Sequence, residues 1–136
     1  MKGLQYLDKE VLELVFRKNM EEEQELDIEV AVAYRLDIDE EEKLAFGDAQ
    51  IEISDETQTM LELKVHAVGV FSFLGDVKTD DDRMELHNAT LKEFTPHLNG
   101  LVAQLSAVAE VPPVPITYED FAGGEVEIES FTESLN

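Results

Sequence analysis

Cysteine is absent from this 136-residue chain, so neither a disulfide framework nor thiolate chemistry is available to it. Basic residues are scarce: ten Lys and Arg stand against thirty-two Asp and Glu, for a formal charge of -22. A surface of that sign repels nucleic-acid phosphates and anionic lipid, so partners are expected to be basic or apolar: a cationic tail, an unfolded segment, or a cation held loosely by carboxylates. No run approaches the roughly 20 apolar residues of a membrane span. Met1-Lys2-Gly3-Leu4 also lacks the apolar stretch of a signal peptide. The expectation is a soluble cytoplasmic protein with no membrane insertion. At 43% hydrophobic it reads as one folded domain over residues 1–136, with an acidic tail from about residue 122.

Signatures of catalysis are missing as well. His66, His87 and His97 show no metal-ligand spacing such as His-Glu-x-x-His. Ser72 lies outside any Gly-x-Ser-x-Gly elbow, and Gly123-Gly124 is an isolated pair rather than a phosphate loop. Residues 37–42 carry acidic side chains at alternate positions but lack the central glycine and distal glutamate of a calcium loop. Carboxylates are too abundant for any pair of them to mark a glycosidase couple. The chain reads as a binder, not an enzyme, with no cofactor and no metal.

What is present begins with strands. Residues 6–18 alternate, with Leu12, Leu14 and Phe16 on one parity and Glu13, Val15 and Arg17 on the other. Leu26, Ile28, Val30, Val32, Tyr34, Leu36 and Ile38 then occupy every even position, in strict period two. Residues 44–53 form a weaker strand whose phase slips at Gly47, as a bulge there would cause. Residues 60–73 return with Leu61, Leu63, Val65, Ala67, Gly69, Phe71 and Phe73 on one face. Four strands joined by short polar turns predict an antiparallel sheet, because parallel pairing would need crossovers that the chain lacks.

Helices follow. Asp80 or Asp81 can cap a first helix reaching about Glu93, and Thr95-Pro96 is a start signal for a second. Residues 94–109 hold no Asp, Glu, Lys or Arg. Leu98, Leu101, Val102, Leu105 and Val108 share one helical face, while Gly100, Ala103 and Ala107 line the other. A helix without charge opposite its apolar stripe is expected to be covered on both sides, by its own domain and by another subunit; a roof of the chain's own loops is the alternative. Val111-Pro112-Pro113-Val114-Pro115 is extended, and residues 116–121 add Tyr118 and Phe121. Val126, Ile128 and Phe131 fit a short strand or an acidic tail. Strands first and helices afterwards give an α+β domain with C-terminal helices on one face of a four-stranded antiparallel sheet.

Val68-Gly69-Val70-Phe71-Ser72-Phe73-Leu74-Gly75 resembles the Gly-Gly-Ile-Phe-Ser-Ile-x-Gly segment of the SecB family of bacterial export chaperones. Glu93-Phe94-Thr95-Pro96-His97 is similar to that family's Phe-Pro-Tyr-Ala-Arg helix entrance, shifted by one residue. Residues 111–121 look like a variant of its Pro-Val-Asn-Phe-Asp-Ala-Leu-Phe loop. The family's Phe-Pro-x-Leu sequence after the long helix, its final helix and its entrance arginine have no counterparts here. The resemblance implies a SecB-like, ATP-independent chaperone for non-native or extended polypeptide, assembled as a homodimer or homotetramer, with an acidic surface for the basic tail of an export motor. An interaction protein with one dedicated partner is the alternative. On this reading Phe71, Phe73, Val114, Ile116, Tyr118 and Phe121 contact clients, and Gly100, Ala103 and Ala107 form the subunit interface.

Overall fold

The computed structural model describes residues 3–19, 27–57 and 59–122. It contains strands β1 (Gln5–Lys18), β2 (Ile28–Asp39), β3 (Leu44–Asp55) and β4 (Leu61–Ser72), then helices α1 (Asp80–Val108) and α2 (Tyr118–Ala122). All pairings are antiparallel, and the spatial order is β1-β4-β3-β2. Three strands thus follow one another as hairpins while β1 lies beside β4, a Greek-key arrangement. β1 and β2 are not hairpin neighbours, as an uninterrupted chain of short turns would have made them; they form the two opposite edges.

Alternation decides which face is covered. Leu63, Val65, Ala67 and Phe71 of β4 are buried, as are Ala45, Ala49, Ile51 and Ile53 of β3 and Tyr34, Leu36 and Ile38 of β2. The phase slip expected at Gly47 does not occur, because β3 pairs without interruption on both sides. Gly47 shares the inward parity with Ala45 and Ala49, and a Cβ on it would overlap the Tyr34 phenol oxygen. Small residues there make room for a buried ring. The register shifts fall in β1 instead, between Tyr6 and Asp8 and between Val11 and Glu13, leaving Leu7 and Leu12 as extra residues. Val11, Leu14 and Phe16 therefore share the helix-side face, and Leu12 does not belong to that set.

α1 is one helix where two were expected. Its cap is Thr79, not Asp80 or Asp81. The Thr79 hydroxyl accepts from the Asp82 amide at 3.1 Å, and the Asp82 carboxylate accepts from the Thr79 amide at 3.2 Å, a reciprocal capping box. The helix passes through Pro96, whose ring removes the bond to the Lys92 carbonyl, while the Thr95 hydroxyl donates to the Leu91 carbonyl at 2.7 Å. An interior proline costs about 3 kcal/mol. Burial of Phe94, Leu98, Leu101, Val102 and Leu105 against the sheet offsets it. Val108 does not join that face; it is 65% exposed.

The helix ends in a Schellman motif. The Val111 amide donates to the Ser106 carbonyl at 3.0 Å and the Glu110 amide to the Ala107 carbonyl at 3.2 Å, with Glu110 left-handed at φ 58°. The chain then turns back toward the middle of α1, where the Asn99 side chain bonds both backbone groups of Ile116. Val126, Ile128 and Phe131 lie outside the described residues.

Candidate peptide-binding surface

The apolar side of the sheet is wider than the helix that covers it. Val11 pairs with Ala67, Leu14 with Val65 and Phe16 with Leu63, so these three β1 residues continue rows that are buried in β4. They are nevertheless exposed, Phe16 at 41%. At the other edge Val30 pairs with Ile53 and Ile28 with Asp55; both are exposed, Val30 also at 41%. Two apolar strips thus flank the covered centre, one on each edge strand. Sequence reasoning grouped Leu14 and Phe16 with Leu12, and Ile28 with Val30, each set on one apolar face, but it did not include Val11, which the bulge at Leu12 brings into line. Alternation marks a face but not how far the covering layer reaches.

The residues proposed as client contacts divide in two. Phe71, Phe73, Ile116 and Phe121 are buried core residues, which corrects their assignment as surface contacts: a client cannot touch them without opening the domain. Phe71 meets Phe94 edge-on at 6.0 Å between ring centroids and Tyr6 at 5.7 Å. Phe73 lies beneath the Lys43 ammonium, 5.6 Å from the ring centroid. Phe121 closes on Tyr34 at 6.3 Å. Val114 and Tyr118 are half-buried, and the Lys92 ammonium sits 5.0 Å from the Tyr118 ring centroid. The loop from 111 to 117 thus serves the core through Ile116 and keeps part of its surface through Val114.

Gly100, Ala103 and Ala107 are exposed on the outward side of α1, and a Cβ at Gly100 would meet nothing within 4 Å. Pro96, Gln104 and Val108 are exposed beside them. This stretch of helix surface is open and uncharged.

Tyr34, His87 and Asp55, polar groups near these surfaces, have structural partners. Tyr34 donates to the Thr90 hydroxyl at 2.8 Å, which donates to the His87 carbonyl at 3.0 Å, and burial raises the phenol pKa well above its ordinary range. His87 packs edge-on against Tyr34 at 5.1 Å. Burial lowers its pKa, and hydrogen bonds to Asn88 and to the Tyr34 backbone oppose that shift. At the β3–β4 turn, the Asp55 carboxylate accepts from the Thr57 hydroxyl at 2.5 Å and from the Leu61 and Met60 amides at 2.9 and 3.0 Å, and these bonds hold it below the usual carboxylate range. His66 faces Asp48 at 2.9 Å on the outer face of the sheet, and His97 packs against Tyr6 at 4.0 Å. Among the described residues no three His, Asp or Glu side chains converge as metal ligands, and no helix is long and apolar enough to cross a membrane.

A solved structure shares this arrangement. The Mycobacterium tuberculosis SecB-like chaperone Rv1957, solved in complex with a ChAD peptide from the Rv1956 HigA1 antitoxin, superposes with a TM-score of 0.65 at 13% identity, over 85% of this chain and 87% of that one. A protein of unknown function from Streptococcus agalactiae aligns over 85% of this chain and 97% of its own, with a TM-score of 0.41 and 13% identity. No model of a known protein family matches the sequence, and no curated protein does. The chain has a SecB-like fold: a four-stranded antiparallel sheet with a C-terminal helix packed on it.

Proposed function

We propose that this chain is an ATP-independent chaperone that holds non-native or extended polypeptide segments on the apolar strips flanking α1. The observation that carries the reading is the exposure of Val11, Leu14 and Phe16 on one edge strand and Ile28 and Val30 on the other, in rows that continue the core. Contiguous apolar surface on a chain of charge -22 suits such a role, since like charge keeps the loaded and empty forms dispersed while the strips recruit apolar segments. Val114 and Tyr118 extend that surface from the loop side. Gly100, Ala103 and Ala107 form the contact between copies in a homodimer or homotetramer, since only small side chains let a second helix approach so closely. The acidic surface admits the basic tail of an export motor as a further partner, in the cytoplasm.

A second reading, one dedicated partner instead of many clients, is favoured by the M. tuberculosis neighbour, whose structure holds an antitoxin peptide. Two measurements separate them. Suppression of aggregation when a denatured client is diluted into the protein without nucleotide is expected for the chaperone. Capture of many unfolded proteins, rather than one stoichiometric partner, then decides between the readings. Loss of suppression in a Phe16→Asp, Val30→Asp variant that keeps its melting temperature would locate the strips as the binding surface; unchanged suppression would remove them from it.

A further inference from the structure

The two edges of the sheet differ in their capacity to accept another strand. Along β1 the bulges at Leu7 and Leu12 break the regular spacing of main-chain groups, and the Lys9 amide is already taken by the Asp8 carboxylate at 2.8 Å. Such irregularities blunt an edge against strand addition. β2 has no bulge. The Glu56 amide donates to the Asp27 carbonyl at 3.1 Å, so the main-chain groups of Asp27 point toward β3. Because successive residues of a strand point their N–H and C=O to opposite sides, those of Ile28, Val30 and Val32 face away from β3. The next in the series, Tyr34, has its backbone engaged by His87. Among the described residues no strand lies on that side of β2.

The side chains around this edge specify an occupant. On the helix side Ile28, Val30 and Val32 present apolar surface. On the outer side a shallow concavity of about 440 Å³ is lined by Glu29, Val30, Ala31, Glu52 and Ser54. Glu29, Glu52 and Asp55 on β2 and β3, with Asp27 and Glu56 just beyond their paired ends, are the charged residues near this end, and all are acidic. Lys64, across from Glu52, lies 3.8 Å from the Glu62 carboxylate.

We propose, building on the chaperone reading, that an extended client segment of alternating apolar and basic residues adds to the free edge of β2 as a fifth strand. Its apolar side chains continue the Ile28, Val30 and Val32 face, and its basic ones sit over Ala31 between Glu29 and Glu52. Backbone bonding supplies affinity that tolerates sequence, and the alternation supplies the preference.

Fluorescence anisotropy on the full chain, with a labelled peptide alternating valine and lysine, tests this. Two N-methylated versions, blocking either the odd or the even amides, should behave differently: one binds about tenfold more weakly and the other nearly as the parent. Glu29→Gln with Glu52→Gln should weaken the valine–lysine peptide about fivefold and leave a valine–serine peptide unchanged. Equal affinities for both methylated versions would overturn strand addition while the chaperone reading stands. Binding that appears only after removal of residues 123–136 would assign the edge to the chain's own end. Failure of every peptide, together with no suppression of client aggregation, would bring down both readings.

Discussion

Asn99 holds Ile116 through two hydrogen bonds, its amide nitrogen donating to the Ile116 carbonyl at 2.5 Å and its oxygen accepting from the Ile116 amide at 2.7 Å. One side chain thereby imitates a neighbouring strand for a residue that follows proline and is 1% exposed. Replacing Asn99 with Ala leaves both backbone groups unsatisfied next to the core. The expected cost is about 2–3 kcal/mol, read from the urea midpoint. Binding of an extended peptide should fall as well, since Val114 and Tyr118 are anchored on either side. A variant of unchanged stability would show that the loop is held by its apolar contacts alone.

Glu110 occupies the left-handed position of the Schellman motif, where a β-carbon is strained and glycine is not. Glu110→Gly is expected to raise stability by about 1 kcal/mol. The substitution also removes one negative charge from a strongly acidic chain. Thermal unfolding at two salt concentrations separates the effects: a gain that persists at high salt is conformational.

Acid should weaken the fold in two stages. His87 is buried with its pKa lowered, so the unfolded chain takes up the proton first, and stability is lost as pH falls below the ordinary imidazole value of about 6.5. Asp55 is also lowered, so its contribution is present above the usual carboxylate range and disappears as pH falls through and below it. His87→Gln should flatten the urea midpoint between neutral pH and the carboxylate range, leaving the second stage. A slope that survives the substitution would assign the first stage to another group.

Ala107→Glu tests the outward face of α1. Light scattering should give a mass above that of one chain for the wild type and a single chain for the variant, since burying an unpaired charge costs about 3 kcal/mol or more of association. A monomeric wild type at working concentration would end the idea of a helix-mediated interface.

Much of the fold was legible where periodicity and burial coincide. The odd positions of β4 alternate without a break and are inward-facing as expected. In β3 the same rule misled, because the inward parity carries Ala45, Gly47 and Ala49 while Leu44 and Phe46 lie on the other side. Small residues that accommodate the Tyr34 ring look like a missing face until the ring is in place. Thr95-Pro96 gave a local start signal that tertiary packing overrode. At the candidate site, an apolar loop behind prolines was legible in Val111–Phe121, but whether each side chain covers the core or lines a surface depends on partners far away in sequence, as the Asn99 bond to Ile116 illustrates.

The two leucine bulges in β1 give that strand an unusual tolerance. Its 14 residues lie against the 12 of β4, so two of them have no opposite number. In a regular strand the loss of one residue carries everything on one side of the gap to the wrong face. Here the loss of Leu7 or Leu12 would remove a surplus residue and leave Tyr6, Val11, Leu14 and Phe16 facing as before. The first strand can therefore shorten by one residue without the sheet changing its sides, and length differences between relatives are expected to collect at these two positions.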